Sequence, residues 1–334
     1  MKCIARQRGE VLVTDFPRPE TAPKDHVLVK TTYSAISPGT EMMMIEQNNP
    51  NPSPLGYCAA GEVIEVGDGV THVQKGDRVT CYGAPYVYHA EYLVVPKNLA
   101  VSVPETVDLK AAAFSGIGAI VIHGLRQANM QFGETAVVLG LGLLGQLTAQ
   151  IAENAGYRVI AYDLLASRRK MMRETSRHVI VCDTEEQLEA HLGTETEQAG
   201  ADSVLICASA ENAELIDTSL AWLRDRGRIV IVGDLPVTLD RELMFQKEAE
   251  LAISRAGGPG RYDRHYEKGG VDYPIGYVRW TEGRNMQEYV HLLAENKLQV
   301  DPLISRVLHV DDARKAYDSF RESPETTLGI IIEY

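Results

Sequence analysis

The stretch Thr135-Ala-Val-Val-Leu-Gly140-Leu-Gly142-Leu-Leu-Gly145 decides the fold of this chain. An apolar run passes through G-x-G-x-x-G into a segment patterned as a helix. A second apolar run, Arg158-Val-Ile-Ala-Tyr-Asp163, ends in an acid about 20 residues further on. Strand, glycines, helix, strand and terminal acid, in that order, predict the nucleotide-binding half of a doubly wound parallel sheet. Gly140 permits the tight turn, Gly142 leaves the backbone open to a pyrophosphate, and Gly145 lets the helix pack close to the sheet. The helix expected from Leu143 to Ala155 has Leu143 and Leu144 in its first turn, where free N–H groups and the positive dipole end meet phosphate. Asp163 is placed to accept hydrogen bonds from both adenosine ribose hydroxyls and to repel a 2′-phosphate, so NAD is expected over NADP. Arg168 and Arg169 lie just beyond and would either soften that preference or simply face solvent. A glycine-rich turn that binds nothing is the rival reading of the motif.

At 334 residues the chain has room for two domains and a substantial core. A formal net charge of -13 and a pI near 5.2 give no basic stripe and argue against a nucleic-acid partner. The five cysteines, Cys3, Cys58, Cys81, Cys182 and Cys207, are scattered and never form a C-x-x-C pair. Cys182 and Cys207 end apolar runs and read as small core residues. With no leader-like segment and no apolar run of membrane length, a soluble cytoplasmic protein with no membrane partner is expected.

The first 110 or so residues read as β-rich, with β-branched runs at Val27–Tyr33, Gly61–Val66 and Tyr92–Val95 between Gly, Pro and Asp turns. From Ala111 to Asn129 the pattern turns helical. Strands follow at 135–139, 158–163, 178–182, 202–207 and 228–232, alternating with helices, which predicts the parallel sheet. Glu211–Arg224 reads as an amphipathic helix that Gly227 is placed to stop. Arg255 to Arg284 carries seven glycines among Tyr262, Tyr266, Tyr273, Tyr277 and Trp280 and many charges. That composition fits a loop shaping a polar, aromatic-walled site, or else a surface excursion. The tail reads as a helix over Met286–Glu295, a helix over Val310–Arg321 and a final strand, Thr327–Glu333.

Several segments together resemble the medium-chain dehydrogenase/reductase superfamily. They are the glycine-turn β-region, His89-Ala-Glu-Tyr-Leu-Val-Val-Pro96, the helix before Gly133-Glu-Thr-Ala-Val-Val-Leu-Gly140, and Leu303-Ile-Ser-Arg…Ala316-Tyr. The resemblance implies an α/β fold: a GroES-like β-barrel catalytic domain (1–125 and 255–334, the latter with the substrate loop) and an inserted doubly wound Rossmann domain (126–254). Zinc-dependent members carry C-x-T-D, where this chain has Pro38-Gly39-Thr40-Glu41, and G-H-E, where it has Gly56-Tyr57-Cys58. A third ligand position falls near Ser115-Gly116-Ile117, and the four-cysteine structural lobe is absent. A zinc-free member with no metal is therefore expected, with Glu41 and Cys58 the pair open to an atypical site. The Ser37-Pro-Gly-Thr-Glu41 segment and the block Ser254-Arg-Ala-Gly-Gly…Asp272-Tyr-Pro…Arg279-Trp look similar to bacterial sugar dehydrogenases acting on glycosides and to modules of bi-domain sugar-modifying oxidoreductases.

By that resemblance, Thr40 contacts the substrate oxygen, Tyr57 points at the same oxygen, and Glu41 completes the catalytic set. Tyr57 would act as acid or base if its pKa is depressed; it would otherwise fill the zinc's space, and Thr40 would otherwise cap a helix at Glu41. Family position also puts Cys207 and Ser209 near the adenine, and Val232, Gly233 and Ser254 near the nicotinamide. Arg255, Arg279 and Glu282 are candidates for sugar hydroxyls or a carboxylate, Tyr273 and Trp280 for stacking on a pyranose, and His265 for the same loop site. His89 and His123 read as packing histidines. The expectation is an NAD-dependent, zinc-independent hydride transfer on a ring hydroxyl or ketone of a sugar, glycoside or cyclitol, by a homodimer pairing near Glu250–Ser254. The rivals are a zinc-free reductase of activated double bonds or quinones, and a non-catalytic NAD(H) sensor.

Overall fold

The structure is a computed structural model that describes residues 1–209 and 214–334. The chain forms two compact units: Met1–Ala119 with Gly257–Asn296 and Leu303–Tyr334, and Ile120–Ala256 with Lys297–Pro302.

The second unit is built on six parallel strands. Their spatial order is Ile180–Cys182, Arg158–Tyr162, Thr135–Leu139, Ala201–Ile206, Leu223–Ile231 and Glu250–Ile253. Val137 faces Ile160 on one side and Val204 on the other, so the chain order reverses at Thr135–Leu139. All five residues of that strand are buried, which is why it reads as a continuous apolar run rather than an alternation. Val137, Ile160, Val204, Ile206 and Ile229 pack with Leu188, Ile216, Leu220 and Trp222. Each large apolar side chain buried this way contributes about 1.5–3 kcal/mol.

One expected element is shorter than its pattern. The helix read over Glu211–Arg224 spans Glu214–Trp222, and residues 211–213 lie outside the described residues. Leu223 then starts a strand, Leu223–Ile231, that takes in Gly227, so Gly227 does not end the helix. The cause is tertiary: Leu223 pairs with Ala201, and Arg224 salt-bridges Asp202 on the neighbouring strand.

The first unit holds a seven-stranded sheet. Its order is Ile304–His309, Gly329–Glu333, His26–Ala35, Cys58–Val66, Arg78–Tyr82 and Ala100–Ser102, with Tyr92–Pro96 also paired to His26–Ala35. A three-stranded sheet joins Glu10–Asp15, Lys2–Gln7 and Ser53–Pro54. The last strand returns to the early one, with Ile332 opposite Ser34. Between Arg255 and Trp280 there is neither helix nor strand. The helix expected from Met286 begins earlier, at Glu282, because Thr281 accepts the Arg284 N–H at its N-cap and the Glu282 N–H donates to Pro259.

Two glycines of the fingerprint separate by packing. A Cβ on Gly145 would lie 1.7 Å from the Gly140 carbonyl oxygen, whereas one on Gly142 would meet only Arg168 Nη1 at 3.9 Å. Gly145→Ala is expected to cost about 1–3 kcal/mol or more in urea denaturation. Gly142→Ala should cost at most about 1 kcal/mol, the difference between a glycine and an alanine N-cap.

Candidate functional site

In the second unit the candidate nucleotide residues share the carboxyl edge of the sheet. Gly140, Asp163, Cys207, Val232 and Ser254 each follow directly on a strand end: Leu139, Tyr162, Ile206, Ile231 and Ile253. Ligands of open parallel sheets bind along that edge where the strand order reverses. Gly140 has φ +86°, and its Cβ would strike Ala208; Gly233 approaches the Ala208 carbonyl so closely that a Cβ would lie 2.0 Å from it. Helix Leu143–Asn154 starts on Gly142, which offers no side-chain cap, with Leu143 buried and Leu144 half-buried in the first turn. Ser254 Oγ is buried without a hydrogen-bond partner, near Val232 and the open face of Gly124. Open glycine, uncapped helix start and orphaned hydroxyl fit a dinucleotide. Cys207 packs its thiol 3.4 Å from Thr148 Oγ1, and burial pushes it up to about 12. Ser209 is exposed.

Asp163 differs from expectation. It is buried, and its two oxygens already accept the Leu141 N–H at 2.6 Å and the Leu165 N–H at 2.7 Å, with Arg168 Nη1 at 3.5 Å. It is a partly satisfied acceptor that holds the glycine turn, not an open pair of oxygens. Arg168 does not simply face solvent: Gln146 ties its carbonyl to that of Leu141, placing it beside Gly142. Arg169 is taken up by Asp183 and the carbonyls of Asp163 and Leu164.

In the first unit, helix Pro38–Glu46 starts on proline and buries Glu41 and Ile45, one turn apart. Thr40 lies inside its first turn and is exposed, so it is not the cap; Ser37 holds the N-cap position. The Tyr57 phenol donates to Ser37 Oγ and is also hydrogen-bonded to Thr40, which brings two of the three expected catalytic residues together. Burial raises the Tyr57 phenol well above its ordinary range, so the depressed pKa a Tyr57 base would need is not found. Tyr57 is a neutral donor.

Glu41 has a different place from the one expected. It is fully buried, with one oxygen accepting the Ser37 N–H at 2.8 Å and the other accepting from His89 Nε2 at 2.9 Å and the Tyr317 hydroxyl at 2.6 Å. His89 Nδ1 lies 2.7 Å from Ser34 Oγ, which lies 3.0 Å from the Tyr334 hydroxyl. Every polar atom of the Glu41 carboxylate is engaged in holding the fold, and His89 is a structural histidine, as read.

The loop residues divide. Tyr82, passed over in the sequence, meets the Tyr57 ring edge-on at 5.8 Å and accepts the Gly257 N–H. A Cβ on Gly257 would fall 2.8 Å from Tyr82 and 3.1 Å from Glu282 Cβ, so Tyr57, Tyr82 and Glu282 form one group. Glu282 is fully buried, neither carboxyl oxygen has a hydrogen-bond partner, and burial pushes it up to about 8 against the pull of Arg261. It is therefore not an open sugar-hydroxyl acceptor. Tyr273 stacks on Tyr266 and donates to Asp263, so one face is used within the loop. Arg279 lies over Trp280 at 3.8 Å and is exposed, as are His265 and Arg255. The last of these belongs to the second unit.

The zinc of the dehydrogenase family does not fit the residues present. Cys58 is buried, its thiol driven well above its ordinary value by burial and by Glu41, with the Gly116 and Ile117 N–H groups directed at it. Glu41 is committed to His89 and Tyr317, and no three of His, Cys, Asp and Glu converge among the described residues.

Two stability predictions follow from the buried acids. Glu41→Ala leaves His89 and Tyr317 without their acceptor and should cost about 3–5 kcal/mol in chemical denaturation, while Thr40→Ala stays within about 1 kcal/mol. Glu282 has its folded pKa raised, so the folded chain holds the extra proton, and stability is lost as pH rises through about 8. The melting temperature of Glu282→Gln should accordingly gain on the wild type between about pH 6 and about pH 9.

Comparison with known proteins agrees with this layout. Residues 23–105 match the alcohol dehydrogenase GroES-like domain family and residues 144–268 the zinc-binding dehydrogenase family, together more than half of the chain. The D-arabitol-phosphate dehydrogenase of Enterococcus avium is 26% identical, covering 99% of this chain and 97% of its own. The sorbitol dehydrogenase of Halalkalibacterium halodurans is 27% identical over 79% of this chain and 86% of its own. The crystal structure of galactitol-1-phosphate dehydrogenase from Escherichia coli superposes with a TM-score of 0.80 at 19% identity, over 100% of both chains. The chain belongs to the medium-chain, zinc-type alcohol dehydrogenase superfamily of NAD(P)-dependent enzymes, and is a dehydrogenase with a GroES-like and a Rossmann-type domain.

Proposed function

We propose that the enzyme oxidises a secondary hydroxyl of a sugar, glycoside or cyclitol with NAD, reduces the matching ketone in reverse, and does so without zinc. The observation that carries this reading is Tyr57: a neutral phenol stands where zinc-dependent members hold a metal ligand, joined to Ser37 and Thr40. The names of the two curated relatives, D-arabitol-phosphate dehydrogenase and sorbitol dehydrogenase, favour a polyhydroxylated substrate. Bound NAD supplies the hydride acceptor. Gly142 and the helix start at Leu143 would carry its pyrophosphate, and the negative charge of Asp163 favours a ribose hydroxyl over a 2′-phosphate. With its single O–H turned from Ser37 Oγ to the substrate oxygen, Tyr57 stabilises the developing negative charge, while Thr40, exposed in the same helix start, orients that oxygen.

A homodimer belongs to this reading. Strand Glu250–Ile253 is the sheet's edge, and Ile253 is 65% exposed on it, with Phe245 exposed nearby in sequence.

The test is nicotinamide absorbance with NAD or NADP and a panel of glycosides, sugars and inositols, with and without a chelator. Chelator-resistant reduction of NAD in preference to NADP is expected. Tyr57→Phe should lower kcat by about 10²–10³ with a smaller change in KM. Loss of activity with chelator and recovery with added metal would overturn the zinc-free mechanism.

A further inference from the structure

Strand Glu10–Asp15 is followed in the first unit by Phe16 and then by Pro17-Arg18-Pro19. Pro17 fixes its own φ, and Pro19 holds Arg18 to extended backbone, so the arginine stands on a stiff segment. Its guanidinium lies over the Tyr92 ring with Cζ 4.0 Å from the centroid, which holds the side chain as well. Stacking uses the flat face of the group and leaves its edge of N–H donors unspent. Acids outnumber Lys and Arg 46 to 33 in the chain, yet among the described residues no carboxylate pairs with Arg18 and no acceptor takes its N–H groups.

This held arginine lines a cleft of about 320 Å³. Pro85, Tyr86 and Tyr88 come to it from the loop between strands Arg78–Tyr82 and Tyr92–Pro96, and Val94 from the second of these strands. Val87, between the two tyrosines, is fully buried, and the Tyr86 and Val87 N–H groups both donate to the Gly83 carbonyl, so the loop is anchored. Tyr86 and Tyr88 are half-buried, and burial raises both phenols, so they stay neutral. The volume lies at the lower end of ligand pockets, about 300–1,000 Å³, and suits a single ring with its substituents.

The lining selects the chemistry of that ring. Phenol and pyrrolidine rings offer apolar contact to its face, and neutral phenol hydroxyls offer hydrogen bonds to its hydroxyls. A fixed guanidinium edge takes a planar carboxylate through two parallel hydrogen bonds. The cleft has one cation, with Asp15 and Glu20 close by in sequence and no helix start in its lining. That matches a single negative charge better than a phosphate dianion. We propose that this cleft binds a sugar acid, a pyranose carrying one carboxylate, with its ring against Tyr86 and Tyr88 and its carboxylate on the edge of Arg18. The site is separate from the dehydrogenase reading and needs neither cofactor nor turnover.

Calorimetry and ligand-observed NMR on the whole protein without NAD test this. Methyl glucuronide should bind with a Kd on the order of 1 mM. Methyl glucoside, which lacks the carboxylate, and cyclohexanecarboxylate, which lacks the hydroxyls, should each bind at least about 5-fold more weakly. Arg18→Gln should weaken the glucuronide about 10-fold, and Arg18→Lys should lose most of that too, because the charge stays while the planar fork goes. Tyr57→Phe should leave the Kd unchanged, which separates the cleft from the catalytic tyrosine. Free glucuronate binding as well as its methyl glycoside would mark the free acid as sufficient; a preference for the glycoside would mark the end of a larger saccharide, and either supports the site. Absence of saturable binding by both overturns it, as does binding that Arg18→Gln leaves untouched or that methyl glucoside matches. So does an acetylated Pro-Glu-Pro peptide that binds through Arg18 where the uronates do not. None of these readouts involves NAD reduction, so failure here and failure of the polyol reading are distinct.

Discussion

The carboxylate of Glu41 is the interaction on which the first unit depends. It joins a helix start, through the Ser37 N–H, to a loop histidine, His89, and to the C-terminal helix, through Tyr317. His89 then reaches Ser34 and the terminal residue, Tyr334. The stretch Ser34–Glu41, His89, Tyr317 and Tyr334 are joined in one network around a buried acid with both oxygens engaged. A network of this kind is costly to break and specific in geometry. It fixes Ser37, and Ser37 receives the Tyr57 phenol, so the orientation of that phenol is inherited from a structural acid one helical turn away.

The second unit depends on steric constraint instead. Gly145 lies against the Gly140 carbonyl and Gly233 against that of Ala208, so the strand ends and the helix start are drawn together more tightly than any side chain allows. Gln146, fully buried, then ties the glycine turn to the carbonyl of Arg168, and Asp163 ties it to its own strand end. The acid expected at the ribose is thus engaged by the backbone of the turn, through the Leu141 and Leu165 N–H groups.

What was legible in the sequence was whatever a local pattern carries. The parallel sheet announced itself through runs such as Thr135–Leu139, buried on both faces, and the glycine spacing marked the turn. The end of helix Glu214–Trp222 was not legible, because Leu223 and Arg224 are drawn into the sheet by Ala201 and Asp202, which lie far off in sequence. Nor was the role of Glu41, whose partners His89 and Tyr317 are 48 and 276 residues away. Tyr82 carried a faint signal: an aromatic at the end of a strand running into Gly83 beside the missing metal lobe. Only three-dimensional packing against Tyr57 and Gly257 gives it meaning.

Glu41 and Glu282 show how one residue type acquires opposite properties in one unit. Both are fully buried. Glu41 is surrounded by donors, and its charge is absorbed by hydrogen bonds; Glu282 has none, and desolvation dominates it. The two oxygens of Glu41 accept three hydrogen bonds, so the cost of its burial is compensated. Glu282 is dry and unpartnered, so a proton on it removes the cost of its burial. That desolvation is what weakens the fold at high pH.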